Sequence, residues 1–245
     1  MSAGDALRFG AVEKAFGASG KVLRGVEAEI PLSGLTFVVG QSGQGKSVLC
    51  RLAVGLLRPD AGEVFLLGQP VHRLSGHALQ RLRAQAPYLV QGPALLDWLT
   101  VGENVALARK GASPAEIRAA LEKVGLGDVA DRHPPQLSPG VQKRAAIARA
   151  LMLSPRYLLL DEPTTGLSRD AALRVDAVLR QLRSEGLGAL VVSHDYRAVR
   201  ELADRVLMIS AGRTSFLGPA AEFFTSGDPE IQALVAPQRR EPSDG

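Results

Sequence analysis

The spacing of apolar positions divides the chain into short strands and helices. Val26, Ala28 and Ile30 alternate with polar neighbours, the period-2 pattern of a strand with one buried face. Leu35–Val39 is a continuous apolar run that ends at Gly40, which predicts a buried strand, and the pattern from Lys46 to Leu57 predicts a helix after it. Pro59 and Gly62 mark a turn ahead of a strand over Glu63–Leu67. Arg156–Leu160 and Leu187–Val192 predict two further strands, separated by a helix over Asp170–Glu185. This alternation of strand and helix implies a parallel sheet covered by helices.

The middle of the chain has a different texture. From about Gly92 to Ser154 there is little strand signal. Ser113-Pro114-Ala115-Glu116 has the residues of a helix start, with Ser113 as N-cap, Pro114 in the first turn and Glu116 completing a capping box. Lys143–Leu153 predicts another helix. The expected organisation is a helical insertion, residues 92–154, between two parts of an α/β core, residues 1–91 and 155–226. A short helix is expected near Pro229–Val235, within a tail, residues 227–245, that turns polar and rich in Pro and Arg.

Composition acts mainly by exclusion. With 46% apolar and 22% charged residues in 245, the chain is neither disordered nor fibrous. Aromatic residues are 4%, too few for base stacking to dominate recognition, and the net charge of +4 is dispersed, so no nucleic-acid partner is expected. The single cysteine, Cys50, excludes a disulfide framework. No apolar run approaches the roughly 20 residues that span a bilayer. Met1 to Phe9 lacks the basic start and apolar core of a signal peptide. A soluble, cytoplasmic chain is expected, with any membrane path in another subunit.

Candidate chemistry then sharpens the picture. Gly40-Gln41-Ser42-Gly43-Gln44-Gly45-Lys46-Ser47 fits the phosphate-binding pattern G-x-x-x-x-G-K-[ST], between an apolar strand and a helix. Its backbone N–H groups and the helix N-terminus suit phosphate oxygens, Lys46 suits the β- and γ-phosphates, and Ser47 suits Mg²⁺. Tyr157-Leu158-Leu159-Leu160-Asp161-Glu162 ends a strand in two carboxylates, where open parallel sheets bind ligands. Asp161 is the expected metal ligand, and Glu162 the residue that orients or deprotonates the attacking water. His194 closes the strand Leu187–Ser193 and can reach the same edge. Gln91 follows the strand-like Tyr88-Leu89-Val90 and can join the metal shell. His72, His77 and His133 have no such context.

Taken in order, the phosphate loop, Gln91, Leu137-Ser138-Pro139-Gly140, Leu160-Asp161-Glu162-Pro163 and Ser193-His194 resemble the ATP-binding subunits of ABC transporters, from about Leu7 to Gly218. The resemblance implies a P-loop NTPase core of RecA-like type with a helical signature subdomain, ATP and Mg²⁺ as cofactors, and ATP hydrolysis. It further implies a head-to-tail homodimer in which Ser138 and Gly140 contact the γ-phosphate bound by the opposing subunit, and Phe16 as the aromatic that stacks on adenine. Two positions depart from the family. Pro139 replaces a glycine and removes a backbone donor, and Ser168 replaces an aspartate.

Gln91-Gly92-Pro93-Ala94-Leu95-Leu96, Thr100-Val101-Gly102-Glu103-Asn104-Val105-Ala106, Lys143–Ala150, Gly218-Pro219-Ala220 and Asp228-Pro229 are similar to the Mla/Mce-type lipid transport ATPases. That similarity implies phospholipid transport between bacterial membranes, a permease at the inner membrane, and Mce and STAS-domain partners. The same features occur in amino-acid and methionine importer ATPases, which is the alternative reading. A non-transport ABC-type ATPase and a regulatory module that binds ATP without turnover are further alternatives.

Overall fold

A computed structural model describes residues 6–17 and 20–236. Two sheets share the core. The smaller is antiparallel, in the order β2 (Lys21–Pro31), β1 (Ala6–Ala15), β4 (Ala61–Leu66), β5 (Gln69–Pro70). The larger has six strands in the order β10 (Arg213–Pro219), β9 (Arg205–Ser210), β3 (Leu35–Val39), β8 (Gly188–Val192), β7 (Tyr157–Asp161), β6 (Tyr88–Leu89). Every pair from β9 to β6 is parallel, and β10 returns antiparallel to β9. The expected parallel sheet is present with one antiparallel edge strand, β10, and a second, antiparallel sheet accompanies it. Strands over Ala6–Ala15, Arg205–Ser210 and Arg213–Pro219 were not anticipated.

The continuous apolar runs now have a reason. Strands buried on both faces read as unbroken hydrophobic stretches. On β3, Leu35, Phe37 and Val39 face one core while Val38 faces the other. On β8, Ala189 and Val191 alternate with Leu190 and Val192 in the same way, and on β9 Val206 and Met208 alternate with Leu207 and Ile209. One core includes much of α5 (Pro139–Leu151) and α6 (Arg169–Ser184). The other holds α1 (Lys46–Ala53) against the small sheet. Helix α2 (Gly76–Gln85) contributes Leu82 to that second core, and α7 (Tyr196–Leu202) and α8 (Ala220–Thr225) contribute Val199 and Phe223 to the first.

Helix boundaries shift for identifiable reasons. Helix α1 stops four residues short of Leu57 because Gly55 adopts φ +66°. The Leu56 N–H then donates to Arg51 O at 2.8 Å and the Gly55 N–H to Leu52 O at 3.1 Å, a Schellman closure. Helix α5 starts at Pro139, four residues before the expected Lys143, with Ser138 as N-cap.

Between Gln91 and Ser154 the regular elements are helical: α3 (Val101–Ala106), α4 (Pro114–Glu122) and α5. Ser113 caps α4 as expected, its Oγ accepting from the Glu116 N–H at 3.3 Å and Glu116 Oε2 accepting from the Ser113 N–H at 2.8 Å. Thr100 and Glu103 form a second capping box on α3. The expected C-terminal helix is α9 (Pro229–Val235), whose Ile231 and Val235 are buried. The rest of the expected tail, residues 237–245, lies outside the described residues. Among the described residues no helix is long and apolar enough to cross a membrane.

Candidate active site

Strand register brings the candidate residues to one edge. Val38 of β3 pairs with Val192 of β8, and Asp161 of β7 pairs with Val192 from the other side. Gly40, Glu162 and His194, one or two residues beyond these positions, therefore leave the sheet together at its carboxyl end, the usual ligand crevice of a parallel sheet.

The loop from Gly40 to Ser47 depends on glycine at two places. Gly40 has φ +139°, and a Cβ there would lie 2.2 Å from Ile209 O. Gly45 has φ +90° at the N-cap of α1, and a Cβ would lie 2.6 Å from Leu23 Cδ2. The loop thus passes against β9 and β2 at distances no side chain permits. Lys46 starts α1, and its buried ammonium donates to Gly40 O at 2.8 Å and Gln41 O at 2.9 Å. Burial lowers its pKa, and the carboxylates of Glu162 and Asp161 oppose that shift.

Asp161 is 3% exposed, and both its oxygens accept hydrogen bonds. Ser47 Oγ donates to Oδ1 at 2.8 Å, and the Tyr88 hydroxyl donates to Oδ2 at 2.6 Å. Burial, and then the adjacent carboxylate, pushes the Tyr88 phenol up, so it remains a donor. Glu162 stands at φ +51°, an uncommon backbone state for a side chain larger than glycine. Its surroundings hold it there: the Glu162 N–H donates to Val192 O at 2.9 Å, and Lys143 Nζ donates to Glu162 O at 3.3 Å. Glu162 Oε2 accepts from Thr165 Oγ1 at 2.8 Å and lies 2.8 Å from His194 Nδ1. A carboxylate held beside an imidazole can polarise a water and share its proton.

A cavity of about 380 Å³ unites Ser42, Gly43, Gly45, Lys46, Ser47, Gln91, Glu162 and His194. Gln41 and Gln44 face a separate small crevice beside Ile209 and Glu230. Ser138, Gly140 and Phe16 do not line this cavity. Phe16 is 39% exposed, so it is no core residue, and the Lys14 ammonium lies 5.7 Å from its ring centroid. Gly140 is buried, and a Cβ on it would stand 2.8 Å from Ala171 Cβ of α6. Pro139 occupies the first turn of α5, where the missing N–H is one the helix leaves unpaired anyway. Ser168, the second departure, caps α6 by accepting from the Ala171 N–H at 3.4 Å.

The site also includes residues that the motif reading missed. Tyr88, Thr165 and Lys143 touch Asp161, Glu162 and the Gln91 backbone. Lys143 is 8% exposed and donates to Gln91 O as well as to Glu162 O. Burial lowers its pKa, against the pull of Glu162 and Asp161. The one available signal was a lysine on the buried face of a helix, where an ammonium needs acceptors.

The residues fit Mg²⁺ carried by a phosphate ligand. A hydroxyl and a buried carboxylate meet at 2.8 Å, an all-oxygen donor pair. Among the described residues no cluster of three or more His, Cys, Asp or Glu could cage a metal alone. The remaining ligands have to come from phosphate and water, as is usual for Mg²⁺.

The ABC transporter family profile matches residues 23–165, more than half the chain, and the chain belongs to this family. It is an ABC ATPase domain that binds ATP. It is 37% identical over 238 residues to the methionine import ATP-binding protein MetN 1 of Rhodococcus jostii, covering 93% of this chain and 70% of that protein. It is 40% identical over 227 residues to the Fe(3+) ions import ATP-binding protein FbpC 2 of the same organism, covering 90% of this chain and 64% of that one. The chain thus spans about two thirds of the length of these relatives. A solved dimeric ATP-binding cassette in a post-hydrolysis state, bound to ADP and Pi, superposes with TM-score 0.78 at 26% identity, covering 87% of this chain and 98% of that chain.

The two curated relatives are named for methionine and ferric-ion import, and they lend no support to the Mla/Mce-type expectation. The residues that carried it have duties in the fold. Asn104 is fully buried, and its Nδ2 donates to Leu96 O, Leu99 O and Thr100 O. Thr100 and Glu103 cap α3, and Asp228 and Pro229 start α9.

Proposed function

We propose that the chain is the ATP-hydrolysing subunit of an ABC importer for a small solute, of the class that methionine and ferric-ion importers carry. Residues 1–91 and 155–226 form its RecA-like core, residues 92–154 its helical subdomain and residues 227–245 its tail. The observation that carries the reading is the single cavity joining the phosphate loop, Gln91, Glu162 and His194, in a chain whose curated relatives energise import.

Lys46 and the N–H groups of Gly43, Gly45 and Ser47 hold the phosphates of ATP, with the positive end of α1 behind them. Ser47, Asp161 and Gln91 would hold Mg²⁺, which would supply charge neutralisation for the phosphates. Glu162 orients the attacking water, and His194 steadies Glu162 and donates to the γ-phosphate. Phe16 stacks on adenine. Two copies close head to tail, so that Ser138 and the Gly140 N–H of one reach the ATP of the other. The dimeric relative with ADP and Pi supports this arrangement. The path through the membrane belongs to a permease that docks beside the segment around and after Gln91, where Val90, Trp98 and Leu107 are exposed. The cytoplasmic face of the membrane is the corresponding location.

The test is reconstitution of the chain with its permease in liposomes, with labelled methionine, ferric ion or phospholipid. ATP-dependent uptake of a small solute is expected. ATP-dependent phospholipid transfer without solute uptake would overturn the importer reading.

A further inference from the structure

Tyr88 has no part in the mechanism above, yet it makes one of the two hydrogen bonds to the carboxylate that receives the metal. It lies on β6, the edge strand, three residues before Gln91. Its position there is set by parallel pairing with Leu159, while Leu89 pairs with Leu160, one residue before Asp161. The hydroxyl meets Asp161 Oδ2 at 2.6 Å, opposite the Ser47 bond to Oδ1 at 2.8 Å.

We infer that Tyr88 is a positioning residue for the metal site: its hydroxyl fixes the rotation of the Asp161 carboxylate and ties it to the strand that delivers Gln91. With one donor alone, a carboxylate can rotate about its Cβ–Cγ bond and trade its oxygens. Two donors on opposite oxygens remove that freedom. Asp161 is 3% exposed, and Tyr88 and Ser47 supply the side-chain donors to its two oxygens. Outer partners of this kind orient ligands, and their removal typically weakens metal affinity or activity about 10–100-fold. The same bond couples strand to metal, because any movement of β6 that shifts Gln91 also pulls on Asp161.

The inference rests on the ATPase reading, and the experiment separates the two. Tyr88→Phe keeps the ring and removes one oxygen, and a thermal melt checks that the fold is kept. Binding of a fluorescent ATP analogue is measured in EDTA and across a Mg²⁺ titration, and Mn²⁺ occupancy of the nucleotide-bound protein is read by electron paramagnetic resonance. The expected result is nucleotide affinity in EDTA within about twofold of wild type, with Mn²⁺ and Mg²⁺ affinity lowered about 10-fold. Unchanged metal affinity in Tyr88→Phe would overturn the inference, as would an equal loss of nucleotide affinity in EDTA, which marks a packing role. Wild-type protein that fails to bind nucleotide with Mg²⁺ would instead overturn the ATPase reading.

Discussion

Asn104→Asp exchanges one amide group for a carboxyl of the same shape and tests how the loop after Gln91 is held. Asn104 is completely buried. Its Nδ2 donates to Leu96 O at 3.0 Å, Leu99 O at 3.2 Å and Thr100 O at 3.0 Å, while Oδ1 accepts from the Leu96 N–H at 2.8 Å. The substitution leaves three carbonyl oxygens facing a carboxylate. Losing the amide donors costs about 2–3 kcal/mol at roughly 1 kcal/mol per bond. The unpaired buried charge raises the total to about 4–5 kcal/mol at pH 7, comparable with breaking a buried ion pair. That is a large share of an ordinary domain's stability, about 5–15 kcal/mol.

The pH dependence has a definite sign. Burial among carbonyl oxygens raises the carboxyl's folded-state pKa above its unfolded value of about 3.9. The native state then holds the proton more tightly, so the penalty is smallest below about pH 3.9, grows as pH rises and levels off above the raised folded value. Between those limits the slope is about 1.4 kcal/mol per pH unit. Urea denaturation of variant and wild type at matched pH, from about 3.5 to 7, spans the rise and the plateau and measures the difference. A deficit below about 1 kcal/mol, or one independent of pH, would refute the reasoning, because an isolated polar contact in water costs no more than that.

Gly140→Ala places a Cβ 2.8 Å from Ala171 Cβ and should destabilise by about 1–3 kcal/mol through overpacking of α5 on α6. Adding Ala171→Gly should recover most of the loss, and a double variant no more stable than Gly140→Ala in urea would disprove the clash. Lys143→Met removes the donor shared by Gln91 O and Glu162 O, worth about 1.5–3 kcal/mol. Amide exchange should quicken at Gln91, Gly92, Ala94, Glu162 and Thr164 and stay unchanged in β8, whereas uniform quickening would show general destabilisation.

Much of this site was legible because its parts are local. Residues Gly40 to Ser47 form a contiguous pattern, and Asp161, Glu162 and His194 sit at the ends of apolar runs, where a parallel sheet places its ligands. Features that depend on distant partners were hidden. Tyr88 reads as an ordinary strand aromatic until β6 is paired with β7. Lys143 reads as part of a helix until Gln91 and Glu162 are seen above it. Strand β1 escaped because its alternation of Leu7, Phe9 and Val12 is broken by a bulge, with Ala11 at φ +48° and a register shift between Phe9 and Val12. Strand β9 is a short run of Val206, Leu207, Met208 and Ile209, which periodicity alone does not distinguish from buried helix. The Asn-Val-Ala stretch misled in the other direction. Its similarity to lipid-transport ATPases finds no support among the curated relatives, and in this fold Asn104 ties down a loop.

Glu162, strained at φ +51° and gripped by Thr165 and His194, is the residue we propose activates water for ATP hydrolysis. The direct measurement is single-turnover hydrolysis of ATP by Glu162→Gln, beside equilibrium ATP binding by the same protein. The amide keeps the shape but cannot take a proton, so turnover should fall by about 10²–10⁴-fold with ATP affinity within a few-fold of wild type. Turnover near the wild-type rate would contradict the account.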